Sequence, residues 1–192
     1  MFSKTLAVAV AGATLLLTLS GCSNPAEVKE AKVLGGVLKR LAPEARDLVE
    51  QEHELANELK ITLDESSNID AAEFSRRFGG FVDRLIVMRD KRRHIADSVR
   101  EGYFGRPMVF AVQNSAAMQM QDEIARTDSW IEIAQNVYLR AKLQHKGSFP
   151  EMAKLNKMID VFLGLPRETP LYSQMGALGE EYRFGENEVI VK

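Results

Sequence analysis

The stretch that decides the fold is DAAEFSRRFGGFVDRLIVMRDKRRHIADSVREG, residues 70–102. Its apolar side chains recur in alternating steps of four and three residues, a series that we call a seam. This period is typical of an α-helix packed against another helix, whereas a strand would alternate every two residues. Asp70, with Glu73 three residues later, predicts the start of the helix, and Gly102 predicts its end. The seam consists of Phe74, Phe78, Phe81, Leu85, Met88, Ile95 and Val99, interrupted by Arg92.

Two further segments carry the same period. The segment before residue 64 has Glu52 as its polar seam member, and the segment opened by Pro107 has Thr127. Gly35-Gly36 and Pro43 interrupt the earlier segment, so we expect a bend there and two helices, roughly 25–41 and 43–63. The apolar seam positions are Leu34, Leu38, Leu41, Ala45, Leu48, Leu55 and Leu59 in the earlier segment, and Ala117, Met120, Ile124, Ile131, Ala134, Tyr138 and Ala141 in the later one.

Short connections between long amphipathic segments favour antiparallel neighbours. We therefore predict an all-α fold, an elongated and mostly antiparallel helical bundle over residues 22–164. A short last helix closes at Gly164, and residues 165–192 are expected to form a loosely structured, irregular C-terminal tail. A coiled-coil oligomer would show the same period and stays an alternative.

The polar seam members raise a question of pairing. If the chain turns back near residues 64–69, Glu52 faces residues near 81 and Arg92 faces residues near 41. We therefore expect Glu52 and Arg92 not to meet. Each then needs its own partner or access to water, because an unpaired buried charge costs several kcal/mol.

The first residues are typical of an export signal. One lysine, Lys4, precedes an apolar run from Leu6 to Leu19 that is short for a spanning helix, which needs about 20 apolar residues. Leu19-Ser20-Gly21-Cys22 follows, and it contains the only cysteine of the chain. This motif resembles the lipobox of bacterial lipoproteins. The resemblance covers residues 1–22, and we recognise no family for residues 23–192.

The resemblance implies cleavage of a signal peptide, residues 1–21, and acylation of Cys22 with fatty acids such as palmitate. Two or more acyl chains hold a protein stably on a bilayer, whereas one does so only marginally. Ser23 resembles an outer-membrane address, so we expect a protein of the Gram-negative cell envelope that faces the periplasm. Asn24-Pro25 predicts a helix start directly after the anchor, which leaves a tether with a reach of about 10 Å.

Several motifs contain residue types that metal sites or catalytic sites use. Glu50 and His53 have the Glu-x-x-His spacing of di-iron bundles, but no second such motif occurs. Met88, Met108, Met118 and Met120 could suit Cu(I), yet methionine also fills helical cores. No nucleophile elbow or phosphate loop is present. We therefore expect no metal, no cofactor and no catalytic activity.

Charge is distributed unevenly along the chain. Residues 44–65 carry eight acidic and two basic side chains, and residues 76–93 carry seven basic and two acidic ones, so the two segments should attract as neighbours. The basic stretch Arg89, Lys91, Arg92 and Arg93 is a candidate contact for a partner protein, lipid headgroups or peptidoglycan, unless it is simply a solvated face. The formal net charge of −2 gives no indication of nucleic-acid binding.

The leading hypothesis is an envelope lipoprotein that binds a protein partner, in a role such as envelope assembly, secretion, exclusion or immunity. The alternative is a periplasmic bundle that holds a small ligand, a lipid or a metal, between its helices. A wide cavity lined by Phe74, Phe78, Met120 and Trp130 would favour the ligand, and a close-packed core would favour the interaction protein.

Overall fold

A computed structural model describes residues 24–102, 104–143 and 150–191. The predicted signal peptide, residues 1–21, and the predicted acylation site Cys22 lie outside these residues. The fold is an all-α helical bundle of five α-helices within the described part of the chain. They are α1 (Pro25–Asp64), α2 (Ala71–Arg100), α3 (Pro107–Lys142), α4 (Pro150–Leu163) and α5 (Pro170–Tyr182). Short 3-10 turns follow α1 at Glu65–Ser67 and α5 at Glu186–Glu188.

Three predicted helix boundaries are confirmed, at Asn24, Asp70 and Gly102. Asn24 caps α1, with its side-chain oxygen accepting from the Ala26 backbone N–H at 3.0 Å. Asp70 caps α2 in the same way, accepting from the N–H of Glu73 at 2.7 Å. Gly102, two residues after the end of α2, has a φ of 96°, a left-handed conformation that glycine adopts without strain.

The predicted break in the first segment is wrong, because α1 runs continuously through Pro43. Proline lacks an N–H, so the Lys39 carbonyl loses one helical hydrogen bond there. Burial of Leu38, Leu41 and Ala42 around the proline holds the helix in place.

The C-terminal segment is more ordered than predicted, because it contains α5 and then packs back on α1. Gly35 and Gly36 receive it. A Cβ on Gly36 would lie 2.2 Å from the Ile190 carbonyl oxygen, and one on Gly35 would lie 2.9 Å from Val189 Cγ1. The Ile190 N–H donates to the Lys32 carbonyl at 3.0 Å. The two glycines thus permit a close approach of the tail rather than a bend.

The first three helices run up, down and up, and α4 and α5 together occupy the fourth position. Phe162 of α4 packs on Trp130 of α3, and Gln174 of α5 bonds to Gln119 of the same helix. The fourth position is therefore antiparallel to α3 and interrupted at residues 164–169. Among the described residues, no helix combines the length with the apolar character that crossing a membrane requires.

Candidate functional site

The middle of the bundle contains a buried group of polar side chains, which we call the polar centre: Glu52 of α1, Arg92 of α2, and Glu123 and Thr127 of α3. Arg92 is fully buried and forms a bidentate ion pair with Glu52 through both terminal nitrogens of its guanidinium. Nη1 donates to Oε1 at 2.9 Å and Nη2 to Oε2 at 2.6 Å. Such two-pronged pairs are among the stronger hydrogen-bonded contacts in proteins.

The other contacts of Arg92 give each of its three guanidinium nitrogens at least one hydrogen-bond partner. Nε donates to Glu123 Oε2 at 3.1 Å, and Nη1 is 2.9 Å from the Thr127 hydroxyl. That hydroxyl can donate to Glu52 Oε1 at 3.1 Å or to the Glu123 carbonyl at 3.0 Å. One arginine thus joins three helices, as a buried charge requires if it is not to destabilise the fold.

Arg126 completes the charge balance from the edge of the core. Its side chain is 30% exposed, and Nη2 lies 3.5 Å from Glu52 Oε2. Two arginines therefore face the two carboxylates Glu52 and Glu123. Burial raises the pKa of Glu123, and the nearby Arg92 and Arg126 oppose that rise.

The expectation that Glu52 and Arg92 would not meet is wrong. One register between residues 52–65 and α2 is marked by three ion pairs, Glu65–Arg77, Glu58–Arg84 and Glu52–Arg92. In this register each acidic residue faces a residue about ten positions later in α2 than a tight turn would predict. The 3-10 turn and the residues up to Asp70 carry the chain past the end of α1 before α2 starts. The predicted attraction between the acidic and basic segments is confirmed by the same pairs.

The structure brings together the polar seam members of all three long helices. Glu52, Arg92 and Thr127 each interrupt an apolar series in the sequence. Glu123, one turn before Thr127, was missed. The signal that could have found it is its spacing, since residues four apart share a helix face.

An aromatic layer adjoins the polar centre. The ring of Phe162 lies 4.5 Å from the ring of His53 and 4.8 Å from that of Trp130, and the Arg126 guanidinium lies 5.1 Å above it. His53 is 1% exposed, and burial lowers its pKa, with Arg167 lowering it further. In this structure neither His53 Nε2 nor Arg126 Nε has a hydrogen-bond partner.

The interruption of the fourth helix lies beside this layer. Since Phe162 is level with Trp130 and Gln174 with Gln119, the chain between α4 and α5 passes α3 near residues 123–128. Arg167 in that connection reaches α1, with Nη1 3.2 Å from Glu50 Oε2. The bundle is thus cross-linked by polar contacts at the level where its fourth helix is interrupted.

The structure places the four residues of the predicted basic contact in different environments. Arg92 lies in the core, so its assignment to a surface contact is wrong. Arg89 and Arg93 lie 3.4 Å from the two carboxylate oxygens of Asp128 on α3, and Arg93 is 49% exposed. Lys91 is exposed. The basic residues of this stretch outside the core are Arg89, Lys91 and Arg93.

Other sequence candidates are placed as follows. Phe74, Phe78, Met120 and Trp130 are all buried, and the Phe78 ring packs 4.5 Å from Phe74 and 5.8 Å from Phe81. Glu50 forms an ion pair with Arg167, and the ring of His53 packs on Phe162 in the aromatic layer. Within residues 24–102, 104–143 and 150–191, no group of three histidine, cysteine or acidic side chains is arranged to hold a metal ion.

Comparison with known proteins adds no assignment, since no family model, curated protein or solved structure matches this chain.

Proposed function

We propose that this protein is a bacterial envelope lipoprotein that is anchored through acylated Cys22 and works by binding a protein partner rather than by catalysis. One observation carries the proposal. The lipobox cysteine lies only three residues before Pro25, where a single helix of 40 residues begins, with Asn24 as its cap. A helix of that length spans about 60 Å. The anchor is therefore coupled to the bundle without a long flexible stalk.

The core supports a binding role through its outer surface. Of the aromatic side chains that would line an internal ligand site, Phe74 and Phe78 pack on each other and Trp130 packs on Phe162. Arg92 connects the three long helices. A bundle held in this way presents its exposed faces with little internal freedom, which suits recognition by a partner.

The basic stretch Arg89, Lys91 and Arg93 is the proposed partner contact. Arg92 is level with Glu52, which is 27 residues along α1 from Pro25 and hence about 40 Å from the anchored end. Exposed charges are screened beyond about 8 Å at physiological salt. Unless the bundle lies flat, this stretch faces a protein of the envelope more readily than lipid headgroups.

The anchor is tested by fractionation and fatty-acid labelling of the full chain. Cys22→Ser should abolish acyl labelling and release the protein from membranes. Ser23→Asp is the matched variant, since it keeps the cysteine and should leave the protein acylated but retained in the inner membrane. An unlabelled wild-type protein that remains on membranes would contradict the anchor.

The partner contact is tested by cross-linking and capture from solubilised envelopes. Reversal of Arg89, Lys91 and Arg93 to glutamate should remove a protein captured by the wild type. Reversal of Arg40, Lys154 and Lys157, three exposed basic residues of α1 and α4, makes the same change in net charge and is the control. Loss of the same protein from both variants, or from neither, would return the stretch to an ordinary solvated face.

A further inference from the structure

The first turns of α3 have an unusual surface. Residues 107–121, PMVFAVQNSAAMQMQ, contain no charged side chain, in a chain that is 27% charged. Exposed residues follow the outward face of this part of the helix. Phe110 is 51% exposed, Met108 49% and Met118 59%. We call this face the α3 apolar stripe; it comprises Pro107, Met108, Phe110, Ala111 and Met118, with Asn114 as its one polar member.

The stripe lies in the anchored half of the bundle. The Arg106 N–H donates to Glu30 Oε2 at 3.1 Å, and Thr127 meets Glu52 at 3.1 Å, so α1 and α3 run parallel in a constant register. Met108 and Phe110 are therefore level with α1 residues about 12 to 15 Å from Pro25 along the helix axis. The outward face farther along α3 includes the charged residues Asp122 and Glu132.

We propose that the α3 apolar stripe is a second membrane contact, in which Ala111 at its centre and Met108 and Phe110 on its two edges enter the boundary between headgroups and acyl chains. The inference rests on the proposed anchor at Cys22. The tether allows about 10 Å, and the axes of packed helices lie about 8–10 Å apart. A bundle tilted toward α3 therefore brings the start of α3 to the bilayer while Cys22 stays in it.

The chemistry of the stripe fits a bilayer. Apolar side chains on interfacial helices enter the bilayer by about 5–10 Å, and their contribution grows with the apolar area that leaves water. No charge within residues 107–121 would have to be desolvated. Because the anchor already holds the chain at the membrane, even a small apolar contact has a high effective concentration of lipid.

The single cysteine makes this measurable. Acylation occupies the Cys22 sulfur, so a second cysteine can be labelled with an environment-sensitive dye in the full-length, acylated protein. Phe110→Cys places the dye in the stripe. Leu139→Cys is the control, since Leu139 is 53% exposed on the same helix about 43 Å farther along. The labelled proteins are reconstituted in phosphatidylethanolamine–phosphatidylglycerol vesicles with and without nitroxide-labelled lipid.

Since an interfacial face is buried by about 5–10 Å, we expect the nitroxide lipid to quench the dye at 110 and to leave the emission of the dye at 139 almost unchanged. Vesicle-bound, acylated protein with no quenching at 110 would overturn the membrane contact and leave the anchor intact. Equal quenching at both positions would overturn it too, since the bundle would then lie flat along its length. Protein that carries no fatty acid and does not float with vesicles would overturn both the anchor and this inference.

Discussion

Removal of the Arg92 guanidinium is the sharpest test of the polar centre. In Arg92→Met the side chain stays long and apolar, but Glu52, which is fully buried, and Glu123, which is 8% exposed, lose their main counter-ion. Arg126 keeps only a 3.5 Å contact with Glu52. Removing one partner of a buried ion pair costs about 3–5 kcal/mol, because the other charge stays in a poorly polarisable environment.

That cost is a large share of the stability of a domain, which is typically about 5–15 kcal/mol. For a chain of this size each kcal/mol corresponds to about 2–4 °C, so the melting temperature should fall by roughly 6–20 °C. Urea unfolding at pH 7 measures the change directly, through a lower midpoint with an unchanged slope. Arg93→Met is the matched control: its side chain is 49% exposed and its loss should cost less than about 1 kcal/mol.

A triple variant separates burial of charge from loss of packing. Glu52→Leu, Arg92→Met and Glu123→Leu together remove all buried charges of the polar centre, and the Thr127 hydroxyl keeps the Glu123 carbonyl as acceptor at 3.0 Å. Apolar replacements of whole ion-pair groups are often neutral or stabilising by about 1–4 kcal/mol. The triple variant should therefore be more stable than Arg92→Met. If Arg92→Met alone unfolds within about 1 kcal/mol of the wild type, the reasoning fails.

Three further outcomes are expected. Gly36→Ala should displace the C-terminal segment and speed hydrogen exchange at the Ile190 amide, and unchanged exchange would contradict the close approach. Gly80→Ala is the control: a Cβ there meets nothing within 4 Å, so this variant should stabilise the helix by about 0.5–1 kcal/mol. Burial lowers the pKa of His53, so its contribution to stability is complete above pH 6.5 and is lost as the pH falls below that value. In His53→Phe the unfolding free energy, measured in urea, should therefore depend less on pH below 6.5 than in the wild type. An equal pH dependence in the two proteins would refute the assignment. Hydrogen bonds from Arg76 and Arg77 lower the pKa of Glu73 to about 2, so its contribution to stability is present above pH 4.5 and is lost toward pH 2. Glu73→Gln should therefore weaken the pH dependence of the unfolding free energy between pH 4.5 and pH 2. The pH dependence between pH 5 and pH 7 should stay as in the wild type.

Local features of the fold were predictable because their physics is local. Asn24, Asp70 and Gly102 act within one turn of the helix ends that they define, so the sequence around each is sufficient. The seam of α2 was equally readable, since helical period and burial are linked. What these features share is independence from the rest of the chain.

The features that were missed depend on distant residues. Gly35-Gly36 was interpreted as a bend, because nothing nearby in sequence indicates that Ile190, at the other end of the chain, approaches there. The partner of Arg92 was missed for a related reason. Helical period gives the face of each helix but not its axial offset, and that offset depends on the path of the chain between α1 and α2.

The polar centre offers a physical reason for that offset. Because steps of four and three residues repeat every seven residues, sliding one helix by seven residues aligns its apolar side chains with those of its neighbour again. Apolar packing alone therefore allows several registers. A slip of one heptad between α1 and α2 would place Arg92 opposite Ala45 or Leu59, and it would leave both the arginine and Glu52 buried without each other. Arg92 would keep Glu123, but Glu52 would lose its main counter-ion. Since breaking a buried ion pair costs several kcal/mol, the observed register is favoured by the penalty on its alternatives. On this argument the polar residues that interrupt each seam select a single alignment of the helices, as a polar residue at a core position does in coiled coils.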